Sequence, residues 1–78
     1  MTFKELVKKT KNINLEELGI YLGKESHKIE TISCFYDENS NEYVIKEIND
    51  RQTVSEKRGS EEYIVKKMYS IIKIKTPI

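Results

Sequence analysis

Apolar residues recur at helical spacing in the first third of the chain. Thr2 and Glu5 match a capping box, in which the side chains of the cap and of the third helical residue satisfy free backbone groups. Asn14 and Glu17 repeat this arrangement ahead of three leucines spaced three and four residues apart. Gly23 then follows at the position where a helix would end. The pattern predicts two short N-terminal helices.

The middle of the chain changes to a period of two, which is typical of β-strands. Apolar and polar residues alternate over 29–36 and 42–48, and a third, more polar segment at 51–57 surrounds one valine. The turn-forming residues DENSN separate the first two segments, and ND separates the last two. Short connections of this kind predict a three-stranded antiparallel meander.

The C-terminal stretch returns to helical spacing. Ser60 is a good N-cap, and Glu61 and Glu62 follow in the first turn, where the helix dipole favours negative charge. The helix is expected to run to about residue 74, ahead of Pro77. Five apolar residues form its inward stripe: Ile64, Val65, Met68, Ile71 and Ile72. The prediction is one α+β domain over residues 1–78, with two short N-terminal helices, a three-stranded antiparallel meander and a C-terminal helix.

The composition narrows the class of protein. Hydrophobic residues make up 37% and charged residues 35% of the chain, which is polar but still allows one thin core. No stretch approaches the ~20 apolar residues of a membrane span, and the N-terminal stretch lacks the pattern of a secretory signal. The single cysteine can form no internal disulfide. We expect a cytoplasmic protein with no membrane association.

Few residues of this chain are suited to catalysis or to metal binding. His27 and Cys34 are the only soft metal ligands, and a zinc site usually takes four ligands. The two could form a Cys–His nucleophile, but Cys34 lies in the middle of a predicted strand, where a free cysteine usually acts as a small core residue. The three glycines are too scattered for a phosphate-binding loop. We expect no metal, no cofactor and no catalytic activity.

The charge along the chain is uneven, and this favours a binding surface. Residues 29–62 carry nine acidic and four basic side chains, whereas residues 63–78 carry four lysines and no acid. One face of the sheet is predicted to carry Phe35, Tyr43 and Ile45 among acidic neighbours, as protein interfaces often do. Two interpretations stay open: this face binds a partner protein, or the last helix covers it.

Nucleic-acid binding is the second hypothesis. The five tyrosines could stack on bases, and the lysines of the last helix could contact a phosphate backbone. The sheet that would present Tyr36 and Tyr43 is acidic, however, and would repel phosphate. We therefore rank a small regulatory nucleic-acid-binding or mobile-element protein below a protein-binding module, and an enzyme below both.

The stretch YDENSNEYVIKEINDRQTVSEKRGSEEYIVKKMYSII, residues 36–72, resembles a pattern in small bacterial immunity proteins of polymorphic toxin systems. In that pattern a strand with an aromatic residue, here Tyr43 to Ile48, leads through a turn and an arginine into another strand and then into an acidic-capped helix. Tyr43 stands where the strand of the family often begins with tryptophan. The resemblance implies a non-catalytic protein that binds a cognate toxin domain stoichiometrically and blocks it.

An acidic inhibitor would complement a toxin that has a basic active site, and would associate with it rapidly. We therefore predict that the partner is another protein, a toxin domain with a basic surface, bound through the acidic meander. Six residues are the candidates for this contact: Asp37, Glu38, Tyr43, Glu47, Asp50 and Arg51. Arg51 has two interpretations, an ion pair with Glu47 or Glu56 within the sheet, or a forked contact with a carboxylate of the partner. Nothing in the sequence indicates an oligomeric state.

Overall fold

The computed structural model describes residues 1–76, and Pro77 lies outside them. The elements follow in this order: α1 (Phe3–Lys9), a short 3-10 helix (Leu15–Leu18), β1 (Ile20–Leu22), β2 (Thr31–Asp37), β3 (Glu42–Ile48), β4 (Val54–Gly59) and α2 (Glu61–Lys75). The four strands form one mixed sheet in the order β1-β2-β3-β4. The α+β class is confirmed, whereas the first third of the chain differs from the prediction.

Both α-helices begin where their capping residues predict. The amide of Glu5 donates to Oγ1 of Thr2 at 3.2 Å, and the amide of Thr2 donates to Oε1 of Glu5 at 3.4 Å. Ser60 caps α2 by accepting from the amide of Tyr63 at 3.3 Å. Because these caps satisfy amides that have no partner inside the helix, residues close in sequence are enough to define both starts.

The prediction of a second N-terminal helix is wrong in its latter half. Leu15–Leu18 forms a single 3-10 turn, and the side chain of Asn14 does not cap it. Gly19 then takes a left-handed conformation with φ of 74°, and its carbonyl accepts from the amide of Ile32 at 2.8 Å. Ile20–Leu22 continues as a strand parallel to β2. The backbone satisfies its polar groups by pairing with a distant strand, which outweighs the helical spacing of the leucines.

The sheet is mixed and has four strands, so the predicted three-stranded antiparallel sheet is only partly correct: β2, β3 and β4 form the meander, and β1 adds to it parallel to β2. β2 pairs antiparallel with β3, and β3 pairs antiparallel with β4. β4 begins at Val54 and not at residue 51, because the preceding residues form the turn. There the amide of Asn49 donates to the carbonyl of Thr53, and the amide of Gln52 donates to the carbonyl of Asn49, both at 3.1 Å. β1 and β4 are therefore the two edges of the sheet.

The two α-helices pack on one face of the sheet, which we call the helix face. Four residues of α2 are buried there: Ile64, Val65, Met68 and Ile72. They belong to one core with residues of α1 and the sheet: Leu6, Ile20, Ile32, Cys34 and Ile45. Cys34 is fully buried, as predicted, and burial raises the pKa of its thiol to about 12. Ile71 was predicted in the same stripe as the buried α2 residues but is only half-buried.

The connection 23–30, which joins the parallel strands β1 and β2, lies against the opposite face of the sheet. Nζ of Lys46 on that face lies 2.6 Å from Oε2 of Glu25, and the side chain of Lys46 is only 9% exposed. This hydrogen bond lowers the pKa of Glu25 below its ordinary value. Oγ of Ser26 and Oγ1 of Thr31 share a buried hydrogen bond of 2.8 Å. These polar contacts hold the connection on the sheet.

Phe35, Tyr43 and Ile45 do not share a face, contrary to the prediction. Phe35 is paired with Val44 on the opposite face, whereas Tyr43 and Ile45 pack with the core on the helix face. The register sets Cys34 opposite Ile45, so that residue 35 points to the other side of the pleat. Of the two interpretations of this surface, coverage by the last helix is confirmed for Ile45, which is buried in one core with residues of α2.

Candidate functional site

The six predicted contact residues are spread along the whole of β3 and do not form one patch. Asp37 and Glu38 lie just before the β2–β3 turn and in it, whereas Asp50 and Arg51 lie in the turn after β3. The other two lie on β3 itself. β3 has seven residues, so at ~3.4 Å per residue the two turns are about 20 Å apart. A single partner would have to extend along the full strand to contact all six.

At the β2–β3 end, Asp37 is held by an arginine of β4. Oδ2 of Asp37 lies 2.7 Å from Nη1 of Arg58, and its Oδ1 accepts from the amide of Asn39 at 2.9 Å. The Arg58 guanidinium lowers the pKa of Asp37, and the hydrogen bond to Asp37 raises the pKa of Arg58. Arg58 also lies 3.2 Å from Oε1 of Glu56. The charge of Asp37 is thus compensated within the chain, whereas Glu38 is exposed.

Tyr43 is not the outward aromatic residue that the pattern predicts. It is half-buried on the helix face, with its ring centroid 5.9 Å from that of Phe3 and 5.1 Å from that of Tyr36. Burial and the nearby carboxylate of Glu61 raise the pKa of its hydroxyl. The more exposed aromatic ring at this end belongs to Tyr36, at 46%. A role for Tyr43 in partner binding stays a prediction.

At the β3–β4 end, the turn is organised by Asn49 and presents its charges to solvent. Oδ1 of Asn49 accepts from the amides of Arg51 and Thr53, each at 2.9 Å. Asp50 and Arg51 are both exposed. None of the ion pairs formed within residues 1–76 includes Arg51, so the pairing considered for it inside the sheet is not formed there. The guanidinium of Arg51 can therefore reach a partner.

A groove runs along the helix face between α2 and the β3–β4 half of the sheet. β4 leads directly into α2, which returns along the sheet and packs against β3 and α1. The β4 side chains that point to the helix face, such as Ser55 and Lys57, remain exposed. The resulting groove has a volume of about 590 Å³. It is open because no later element of the described chain covers β4.

The groove has an apolar floor that is largely buried, with Ile32 at 6% and Ile45 at 5% exposure, and its exposed apolar surface lies mainly on one wall. Ile32, Ile45 and Ile71 form the floor. On the α2 wall, Tyr63 is 48% exposed and Ile74 is 83% exposed, which is a large fraction for an isoleucine in an ordered helix. Because a concave surface with an apolar floor and exposed apolar side chains on its wall is typical of binding sites, this groove is the best candidate for a functional site within residues 1–76.

Charged groups of both signs line the groove. Lys57 of β4 and Lys66 and Lys67 of α2 belong to its walls, and none of them takes part in an ion pair among the described residues. Nζ of Lys67 lies 5.5 Å from the ring centroid of Tyr63, as in a cation–π contact. Glu47 lines the groove as well, and it is the one predicted contact residue that does so.

The sequence contained a sign of this groove that the prediction did not use. Tyr63, Lys67, Ser70 and Ile74 follow one another at intervals of four, three and four residues, beside the stripe that forms the core. Such spacing marks a second helix face. The spacing alone cannot show whether the sheet covers this second face of α2, because coverage depends on where α2 crosses the strands.

Neither a metal-binding cluster nor a membrane-spanning helix is found among the described residues. Within residues 1–76, no three histidine, cysteine or carboxylate side chains come together as a metal ion would require. No helix in that part of the chain is both long and apolar enough to cross a bilayer. No protein family, curated protein or solved structure was found to match the chain.

Proposed function

We propose that the chain is a protein-binding module that holds its partner in the groove between α2 and β4. The observation that carries this proposal is the combination of an apolar floor with two exposed apolar side chains, Tyr63 and Ile74. Covering such surface stabilises a complex by roughly 25 cal/mol for each Å² of apolar area removed from water. The charged groups on the walls would select among partners.

The specific form that we propose is an immunity protein, which binds a cognate bacterial toxin domain in the cytoplasm and blocks it without catalysis. The resemblance of residues 36–72 to immunity proteins supports this form. That stretch supplies β3, β4 and most of α2, which are the elements that bound the groove. A stoichiometric inhibitor needs a folded surface and no deep cleft, which suits a chain of 78 residues.

Acidic residues near the groove would attract a toxin with a basic surface. Glu47 lines the groove, and Asp50 lies two residues beyond the end of β3. Both are exposed, and neither belongs to an ion pair found within residues 1–76. In this proposal they contact the partner together with Arg51. Asp37 and Glu38 act from the other end of the sheet, by attraction over a longer distance.

Nucleic-acid binding remains the second candidate, because the lysines of the groove have no carboxylate partner among the described residues. Lys57, Lys66 and Lys67 could contact phosphates, and Tyr63 beside them could stack on a base. A phosphate backbone carries a charge at every nucleotide, however, and could not avoid Glu47, which belongs to the same groove. The apolar floor also fits a protein better than it fits a nucleic acid.

A matched pair of tyrosine variants tests the proposed function. Tyr63 in the groove and Tyr36 outside it are 48% and 46% exposed, so removal of either ring changes a similar amount of surface. A tagged chain captures its stoichiometric partner from an extract of the cells that produce it, and titration calorimetry then gives the affinity. We expect Tyr63→Ala to weaken binding by about 2 kcal/mol or more, roughly thirtyfold, and Tyr36→Ala to change it little.

The same experiment separates the immunity form from the alternatives. Expression of the captured partner alone should be toxic, and coexpression of the wild-type chain should restore growth. If the chain captures no protein but binds random-sequence DNA with a steep dependence on salt, the nucleic-acid candidate is correct. Equal loss of affinity in both tyrosine variants would show that the partner does not use the groove.

Charge reversals test the acidic residues. Glu47→Lys and Asp50→Lys should mainly slow association with a basic partner, and the loss should shrink as salt rises. Glu38→Lys, at the far end of the sheet, is the control and should slow association less. Stopped-flow measurements at low and high salt provide the rates. Equal effects of all three substitutions would indicate long-range attraction with no local contact.

A further inference from the structure

One wall of the groove has the geometry of a helix–helix contact. Tyr63, Lys67, Ser70 and Ile74 form a seam along α2, with the intervals of four, three and four residues by which one helix packs against another. The seam is about 17 Å long, since an α-helix rises 1.5 Å per residue. Ser70 lies in its middle and is small, so a second helix can approach the backbone of α2 closely there.

The other wall provides room for such a helix beside α2. Ser55 and Lys57 of β4 point to the helix face, and both are exposed. Neighbouring helices on a sheet lie about 8–10 Å apart, which places the next helix of this layer above β4. Ile71 lies between the two walls, where it is half-buried, and would meet its apolar stripe.

The charges of the walls indicate what this helix carries. Lys57, Lys66 and Lys67 line the groove, and no carboxylate within residues 1–76 forms an ion pair with any of them. Two carboxylates line it as well, but Glu56 is paired with Arg58, which leaves Glu47 against the three lysines. A second copy of the chain is a poor occupant. Its α2 has no acidic residue after Glu62, so its lysines would be added to those already present. A helix with carboxylates beside its apolar stripe would neutralise them.

We infer that the groove binds one acidic amphipathic helix of a partner protein, of about three turns. Its apolar stripe packs on Tyr63, Ile71 and Ile74, and its carboxylates pair with Lys57, Lys66 and Lys67. This inference rests on the proposed function, because it names the element by which a protein partner is held. The basic surface proposed for the partner then lies beside this helix, against Glu47 and Asp50 near the β3–β4 turn. The inference is more specific than the proposed function, and it can fail while protein binding itself is correct.

The experiment uses displayed peptides, so that no partner has to be known in advance. A library of random peptides of about 16 residues, long enough to cover the seam as a helix, is selected against the full chain. Ser70→Trp serves for counter-selection, because the indole fills the groove from an exposed position. Ser55→Trp is the second blocked form if Ser70→Trp does not fold. Asn39→Trp, in the exposed β2–β3 turn, is the control for an added tryptophan.

We expect the enriched peptides to share an apolar stripe at helical spacing with aspartate or glutamate beside it. One such peptide is then synthesised and titrated by fluorescence anisotropy. The double variant Lys57→Glu and Lys67→Glu should bind it at least about tenfold more weakly, and the difference should decrease as salt rises. Lys4→Glu with Lys8→Glu, on exposed positions of α1, removes the same charge and should leave the affinity nearly unchanged.

Four results would overturn the inference. The first is enrichment of basic or non-helical peptides, and the second is equal binding of the peptides to the blocked forms. The third is that random-sequence DNA binds more tightly than any peptide. The fourth is that the wild-type chain dimerises and that Ser70→Trp abolishes this dimerisation. The last two identify a nucleic acid or a second copy as the occupant. If the peptides fail but a stoichiometric protein is captured in the tyrosine experiment, the proposed function stands and only the acidic helix is wrong.

Discussion

The two edges of the sheet are covered very differently. β1 has three residues, and Ile20 within it is fully buried in the core. β4 has six residues, and all of them except Gly59 are exposed. The 3-10 helix lies against β1, and α1 packs on α2. Within residues 1–76 the only element after β4 is α2, which places its apolar stripe in the core and leaves the β4 side chains exposed.

This difference follows from the limited apolar surface of a small chain, which is enough to cover one edge of the sheet and not both. A single long helix can bury one stripe on the sheet, and the described chain has no further helix for β4. Glu56, Lys57 and Arg58 follow one another on β4, and charges on an edge strand disfavour unselective pairing with other strands. These charges disfavour aggregation at the open edge, while the groove beside it stays uncovered within residues 1–76.

The largest expected effect is that of shortening a buried side chain of β1, with an exposed side chain of β4 as the comparison. Ile20→Ala leaves a cavity in the core and should lower the free energy of unfolding by about 2–5 kcal/mol. Val54→Ala in β4, where the valine is 51% exposed, should lower it by less than about 1 kcal/mol. Urea denaturation followed by circular dichroism gives both values. Similar losses would show that β4 is packed as tightly as β1.

A smaller effect is expected from adding a methyl group to a glycine at each edge. Gly19 has a φ of 74°, and a Cβ there would lie 2.6 Å from the carbonyl oxygen of Glu30, a backbone atom that cannot move aside. Gly19→Ala should cost about 1–3 kcal/mol.

At Gly59 the nearest atom to a new Cβ is Cδ2 of Tyr63, at 3.0 Å, and it belongs to a side chain that can shift. Gly59→Ala should therefore cost much less than Gly19→Ala, which is its natural control. Thermal unfolding of the two variants in parallel provides the comparison. If Gly59→Ala is the more destabilising, the ring of Tyr63 is held in place and the groove is less adaptable than its exposure indicates.

The smallest effect concerns the response of the fold to acid. Lys46 holds the pKa of Glu25 below its ordinary value of 4.5, so their pair stabilises the folded state above that pH. The contribution is lost as the pH falls through the lowered pKa, because Glu25 must then be protonated. Stability of the wild type should fall more steeply below pH 4.5 than that of Glu25→Gln.

The size of this effect is limited to about 1 kcal/mol, because the side chain of Glu25 is 41% exposed. Asp37→Asn provides the comparison at β4, where Arg58 lowers the pKa of Asp37 in the same direction. The two carboxylates and the two cations differ in opposite directions, since Asp37 is 21% and Glu25 41% exposed, whereas Arg58 is 37% and Lys46 only 9% exposed. If burial of the cation decides the strength of the pair, the acid response should depend more on Glu25 than on Asp37. Urea titrations at several pH values measure both. An equal dependence would show that burial of Lys46 adds nothing.

Much of the fold could be predicted, because its signals are local. The capping residues Thr2 and Ser60 fix helix starts through hydrogen bonds to amides three residues away. The alternation in β2 and β3 and the short turns between them predict antiparallel pairing. β1 could not be predicted in the same way, since Ile20–Leu22 fits a helix by its spacing. It becomes a strand only because Thr31–Asp37 offers a partner.

The candidate site was predicted less completely. Glu47, one of the predicted contact residues, lines the groove, whereas Tyr43, which the pattern places on the outer surface, faces the helices. Which side of a strand is covered depends on the register and on where the helices pack, and both are set by contacts between distant residues. The groove was missed for the same reason, since Tyr63 and Ile74 are exposed only because α2 lies off β4.

Local patterns in the sequence are enough to predict four features: the helix caps, the antiparallel strands β2 to β4, most of the buried stripe of α2 and the burial of Cys34. Each of these follows from residues within a few positions of one another, whose hydrogen bonds and apolar spacing allow one local conformation. Three other features are seen only in the folded structure. Ile20–Leu22 joins the sheet, the connection 23–30 lies on one face of it, and β4 is left open beside α2. Those outcomes depend on how a limited apolar surface is shared among distant elements, which no local pattern specifies.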